Sequence, residues 1–179
     1  MYRYTLFLMT FFLIGCGAKE QLYRLPSPTA HAVEKNSQQR FALRHFETPD
    51  YLTQEKLFRQ QGVKMVQSAL GRWQSEPRQH FKQQWFAELQ ALLPSDFVEQ
   101  YPLRDERKPD FIIDIRLERL LADEKNLYLT AYYTINPQEP SHKVERAYAL
   151  ADASDEALVF AHQSALHDLA HEVVARLTR

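Results

Sequence analysis

Two histidines one helical turn apart, in His167-Asp168-Leu169-Ala170-His171, are the side chains of this sequence closest to a catalytic arrangement. Imidazoles at i and i+4 share a helix face and can chelate zinc, and an acid beside them can activate a metal-bound water. Here the acid is Asp168, a methylene shorter than the Glu of the H-E-x-x-H pattern, and no obvious third ligand follows before Arg179. Both histidines fall off the Leu158/Leu169/Val173 stripe of their helix, so solvated side chains and no metal site are expected. No serine stands in a G-x-S-x-G elbow. The four glycines, Gly15, Gly17, Gly62 and Gly71, form no phosphate-cradling loop. Asp114 and Glu118 have Arg116 between them, which points to ion pairing across strands rather than acid–base work. The expectation is a protein that is not an enzyme and needs no cofactor.

The single cysteine, Cys16, stands apart. Arg3 is followed by the uncharged run Thr5–Ile14 and then by Leu13-Ile14-Gly15-Cys16. Ten uncharged residues are too few to span a bilayer, which takes about 20, but they suit the core of an export signal. A cysteine placed after such a run and a small residue resembles the bacterial lipobox. Cleavage between Gly15 and Cys16 and an N-acyl diacylglyceryl group on Cys16 are therefore expected. Acylation also removes a free thiol that an oxidising compartment would attack. With no other cysteine the fold has no disulfide to rely on. Gly17 follows the cysteine where an aspartate would favour inner-membrane retention, so sorting to the outer membrane is expected.

The rest of the chain must build a domain for that anchor to hold. Of 179 residues, 22 are Lys or Arg and 23 are Asp or Glu, a formal net charge of -1. No basic excess is available to neutralise phosphates, so nucleic acid is not an expected partner. The 45% hydrophobic fraction is too high for a disordered chain, and the mean hydropathy of -0.48 too low for a polytopic membrane protein.

The expected organisation is a signal peptide over 1–15, a lipid anchor with a short extended segment and tether over 16–39, and a periplasmic α/β domain over 40–179. Arg40–Phe46 alternates as a strand, with Phe41 and Leu43 on one side. Lys56–Gln60 and Val63–Ser68 flank Gln61-Gly62 as a hairpin, and Leu70–Trp73 reads as a loop. Ser75 can cap a helix that Pro77 starts and Pro94 stops. In that helix Phe81, Trp85, Leu89 and Leu92 form one stripe. Pro109–Leu121 and Asn126–Ile135 alternate strictly enough for a long antiparallel hairpin, in register if Ala122 pairs near Asn126. Lys143–Leu150 is a weaker strand, and Ser154 caps a last helix. The fold expected is a single three-layer-type α/β domain with a mixed, mostly antiparallel sheet, a long hairpin and two main helices. Tyr128 and Tyr132 point to the polar side of the hairpin. Cover by the protein's own helices is expected there, with a partner or lipid surface as the alternative.

The order of these features resembles the ABC-type transport auxiliary lipoproteins. The matching positions are Tyr23, Leu25 and Pro26 as Tyr-x-Leu-Pro, Pro49, Tyr51 and Leu52 as Pro-x-Tyr-Leu, and Trp73 before the helix. Leu22 and Arg78 stand where the family often has an aromatic and a leucine. The resemblance spans nearly the whole mature chain. It implies a lipid-anchored outer-membrane protein facing the periplasm, with a fold of the anticodon-binding or TolB N-terminal type. It also implies work with a periplasm-spanning MCE-domain protein and its inner-membrane partner in moving lipid between membranes. The auxiliary protein would be a docking subunit, with Pro49, Tyr51, Leu52 and Trp73 as candidate contacts; turn formation and core packing account for them equally well. A carrier domain that itself encloses an acyl chain is the alternative, and a metal-dependent hydrolase using His167 and His171 a more distant one.

Overall fold

A computed structural model describes residues 19–28, 33–104, 107–136 and 140–178. Gly15 and Cys16, and with them the expected cleavage and acylation site, lie outside the described residues. The elements in chain order are β1 Gln21–Tyr23, β2 Phe41–Glu47, a 3-10 turn Asp50–Thr53, β3 Lys56–Gln61, β4 Lys64–Trp73, α1 Pro77–Leu92, β5 Val98–Gln100, β6 Phe111–Ala122, β7 Asn126–Asn136, β8 His142–Ala149 and α2 Asp155–Leu177.

The strict alternation of β6 and β7 makes them the middle of the sheet. They pair antiparallel with Ile113 opposite Ile135, Ile115 opposite Tyr133 and Leu117 opposite Ala131. A bulge between Leu117 and Arg119 then inserts one residue and resets the phase. Past it Leu120 faces Leu129 and Ala122 faces Leu127, one residue on from the expected Asn126. Without that reset the second half of β6 would turn its apolar side to solvent. β8 extends the antiparallel run beyond β7. On the other edge β2 runs parallel to the first half of β6, β5 lies parallel outside β2, and β3 meets the end of β6 at Arg59 opposite Ala122. β4 pairs antiparallel with β3, and β1 lies parallel to β4. The sheet is thus eight-stranded, open and mixed.

Both helices pack on the apolar face of this sheet and against each other. Phe81, Trp85 and Leu89 of α1 and Leu158, Leu166, Leu169 and Val173 of α2 join Leu43, Ile113, Ile115, Leu129 and Tyr133 in one buried core. Ser154 caps α2 by accepting the Ala157 N–H at 3.1 Å, as expected. Ser75 makes no such cap on α1; Glu76 precedes Pro77 and its side chain makes no cap bond. The class, the single domain, the long hairpin and the two helices are those expected. Both helices use the one face that the alternation made apolar.

Two further readings change. β1, read as an extended segment of the tether, pairs with β4 in the sheet, and Leu25 after it is buried. Leu70–Trp73 is not a loop but the end of β4. Gly71 there marks a close approach: a Cβ on it would collide with the Asp155 carboxylate and stand 2.9 Å from Leu57 Cδ1. Asp155 is held by Ser68, whose hydroxyl donates to it at 2.5 Å and accepts the Gly71 N–H at 2.9 Å. Gly71→Ala is expected to lower unfolding free energy by about 1–3 kcal/mol, read from the urea midpoint. An unchanged midpoint would show that β4 and the start of α2 are not packed this tightly.

Candidate functional site: the uncovered sheet face

Opposite the helices, β6 and β7 present a face that no described helix covers. Tyr128, Thr130, Tyr132 and Thr134 line it from β7, and Asp114, Arg116 and Arg119 from β6. Cover by the protein's own helices, expected for Tyr128 and Tyr132, is not what is found. The polar half of each strand leaves no apolar stripe for a helix to bury. The tyrosines are instead half-buried under neighbouring cations. The Arg116 guanidinium lies 5.0 Å from the Tyr132 ring centre and that of Arg119 4.4 Å from Tyr128. Tyr128 also donates its hydroxyl to Asp123 Oδ2 at 2.9 Å. Asp123 Oδ1 accepts the Lys125 and Asn126 N–H groups, and these bonds hold its carboxyl below the ordinary carboxylate range. That turn fixes where the tyrosines fall along the strand.

Toward β2 the same face carries a fork. Arg44 donates Nε to Asp114 Oδ1 at 3.0 Å and Nη2 to Oδ2 at 2.5 Å. A shallow, open depression of about 350 Å³ lies here, lined by His45, Glu47, Asp114, Arg116, Tyr132 and Ser141. Its rim of aromatic ring, guanidinium and carboxylate suits protein contact. Interfaces favour Tyr and Arg for their area and directional bonds. The sequence holds one signal for the cation–π layer: Arg116 and Tyr132 are directly opposite in register. Arg119 could not be placed that way, because the bulge moves it.

The other candidates sit elsewhere. Leu52 and Trp73 are 5% and 2% exposed and belong to the core, so neither side chain is on a surface. Tyr51 is half-buried and does a local job. Its hydroxyl accepts the Leu120 N–H at 2.9 Å, on the stretch of β6 between the reach of β2 and that of β3. Burial pushes its phenol up from the ordinary value. Pro49 precedes the 3-10 turn that sets Tyr51 there. Of these four only Pro49 and part of Tyr51 meet solvent.

His167 and His171 do meet, ring centres 4.4 Å apart. His167 is half-buried rather than fully solvated, with Nδ1 3.1 Å from Oε2 of the buried Glu88 on α1. Asp168 points to β8 instead: it pairs with Arg146 at 3.2 Å and accepts the Tyr148 hydroxyl at 3.2 Å. Burial and then the Asp168 charge push the Tyr148 phenol up to about 12. The acid of the H-D-x-x-H run therefore ties α2 to the sheet. Among the described residues no group of three or more His, Cys, Asp or Glu side chains is placed to hold a metal. A small void in the core, between Tyr51, Leu57, Trp73 and His162, holds about 10 Å³.

Solved structures define the class of domain. A crystal structure of a protein described as uncharacterized superposes with a TM-score of 0.72 at 14% identity, covering 89% of this chain and 99% of its own. The crystal structure of XCC0632 from Xanthomonas campestris, of the DUF330 family, does so with a TM-score of 0.63 at 12% identity, covering 86% and 92%. Both share this open α/β arrangement. The chain belongs to the family of ABC-type transport auxiliary lipoprotein components, whose family model matches residues 23–174. No curated protein matches it. The family is one of lipoproteins that assist ABC-type transport systems. No helix among the described residues is long and apolar enough to cross a membrane.

Proposed function

We propose that this protein is a non-enzymatic docking subunit, fixed to the outer membrane by an N-acyl diacylglyceryl group on Cys16. It holds the end of a periplasm-spanning MCE-domain protein of an intermembrane lipid transport system, whose other end meets an inner-membrane partner. The observation that carries the reading is the uncovered Tyr128–Tyr132 face with its arginines. It offers a polar-aromatic contact surface on a rigid sheet. Anchoring multiplies the effect of a modest contact, because a tethered domain meets its partner at high local concentration. The carrier alternative needs a cavity of about 300 Å³ or more for an acyl chain. The core void at Trp73 is far smaller, the depression at Tyr132 is open to solvent, and that of about 440 Å³ between Phe86, Asp96, Glu99 and Arg104 is lined mainly by polar groups, which favours docking.

The test is co-purification from envelope extracts. Wild-type protein should bring down an MCE-domain protein, and Arg116→Glu with Tyr132→Ala should reduce the yield about tenfold or more with unchanged unfolding. Retention at the wild-type level would overturn the assignment of this face. Cys16→Ser should move the protein to the soluble fraction and abolish its support of the transporter. Continued fractionation with membranes would overturn the anchor.

A further inference from the structure

The β3–β4 hairpin runs past the end of the sheet. β6 reaches Ala122 opposite Arg59, and beyond that level the hairpin pairs only with itself, Gln60 opposite Met65 and Gln61 opposite Lys64. Gly62, at φ +59°, makes the two-residue turn with Val63. Every residue from Gln61 to Gln67 is exposed, on both faces of the strand. Three of them are apolar: Val63 is 100% exposed, Met65 43% and Val66 39%. A solvated tip has no physical use for such a group.

The chain before β1 supplies the occupant. β1 is parallel to β4 with Gln21 opposite Gly71, so the chain entering Gln21 comes from the side of the hairpin tip. Glu20 is fastened by Lys56 at 2.9 Å and Arg72 at 3.0 Å. Cys16 precedes Gln21 by five residues, a reach of at most about 18 Å. Val63 precedes Gly71 by eight residues, but three of them are taken up in the irregularity of β4 between Gln67 and Arg72, so about five strand steps, about 17 Å, separate their levels. At full stretch the anchor and the tip therefore reach about the same level, and slack in the five residues before Gln21 carries the tip into the roughly 5–10 Å that interfacial segments sink into a bilayer.

We propose that the tip formed by Val63, Met65 and Val66 inserts into the phospholipid leaflet that holds the Cys16 acyl chains, as a second membrane contact. This rests on the anchor assigned above. The β6–β7 turn, whose Asp123, Glu124 and Lys125 line a shallow depression with Gln60, Gln61 and Gly62, forms a polar shoulder at headgroup depth. Lys64 stands among the apolar residues, suited to lipid phosphates. The pair of contacts fixes the tilt of the domain, and so the direction in which the Tyr128–Tyr132 face looks.

The test uses the full acylated chain purified from membranes. Acylation occupies the only native thiol, so Val63→Cys provides a single site for a bimane label. The label is read in vesicles of phosphatidylethanolamine and phosphatidylglycerol with and without a nitroxide-bearing lipid. A blue-shifted emission, quenched at least about twofold by the nitroxide lipid and shielded from iodide, is expected at 63. A label at Gln83→Cys, exposed on α1, should respond only to iodide. Protein that floats with the vesicles but whose label at 63 is reached by iodide and not by the nitroxide overturns tip insertion and leaves the anchor standing. Protein that does not float overturns both. A label already shielded before vesicles are added, on a particle with the mass of two or more chains, places a second copy on the tip and overturns the proposal.

Discussion

Trp73→Ala should lower the unfolding free energy by about 3–5 kcal/mol. Trp73 ends β4 at 2% exposure, where strand, α1 and α2 meet. Its ring stands edge-on to Phe81 at 5.0 Å and to His162 at 5.4 Å. Its backbone is held too, since its N–H donates to the Glu55 carbonyl at 2.6 Å. Truncation removes a ring that joins β4 to both helices, and the void left is too rigidly walled to close. With a urea slope of about 2 kcal/mol/M, the midpoint should fall by about 1.5–2.5 M. Trp85 remains as a fluorescent reporter of the same core. A shift under about 0.5 M would show that Trp73 is not part of the buried core. Partner binding would suffer only as folding does, which separates this substitution from those on the Tyr132 face.

Acid should weaken the fold through the same cluster. His162 is 4% exposed on α2 and its Nδ1 lies 2.8 Å from the Leu158 carbonyl, to which it donates. Burial, with Arg59 nearby, drops its pKa to about 4. The folded imidazole thus stays neutral while an unfolded one, near the ordinary 6.5, takes up a proton. Stability is then intact above about pH 6.5, falls as pH drops through the window from 6.5 to about 4, and is level again below it. The whole window is worth about 3 kcal/mol, of which about 2 should be lost by pH 5. His80 acts in the same direction: its Nε2 accepts the Leu25 N–H at 2.9 Å, a bond that protonation removes, and burial lowers its pKa as well. Urea unfolding at pH 7 and pH 5 checks this. His162→Leu should lose far less stability between the two than wild type. Curves that fall in parallel would show that another group titrates.

The central hairpin was legible because Phe111–Leu117, with Ile112 the one departure, and Leu127–Ile135 alternate, and nothing but a half-buried strand satisfies that pattern. Its register was not fully legible: the bulge at Leu117–Arg119 is visible only as the doubled Leu120-Leu121, which several pairings could absorb. Leu70–Trp73 read as a loop because a glycine in a strand and a glycine in a loop look alike until a neighbour such as Asp155 is seen pressed against Gly71. β5 has three residues, too few for any period. The three-residue β1 was seen as an extended segment, but its pairing with β4 is a contact across fifty positions of sequence. For the site, tyrosines on the polar side of β7 could be named in advance, whereas what lies over them depends on where both helices land. Asp168 shows the same limit. Its spacing to the histidines suggested chemistry, and its partners, Arg146 and Tyr148, come from another strand.

The parallel pairing of β1 with β4 has a mechanical consequence. Gln21–Tyr23 runs alongside Gly71–Trp73, the Tyr23 carbonyl accepts the Gln74 N–H at 2.7 Å, and the Pro26 carbonyl accepts from Gln84 at 2.7 Å. A tug on the proposed Cys16 anchor would be delivered lengthwise along this strap, so its hydrogen bonds would share the load in shear instead of unzipping in turn. In the proposed role, moored at one surface while gripping a machine rooted in another, the protein would be pulled whenever the gap between them changes, and this seam is where that strain would arrive first.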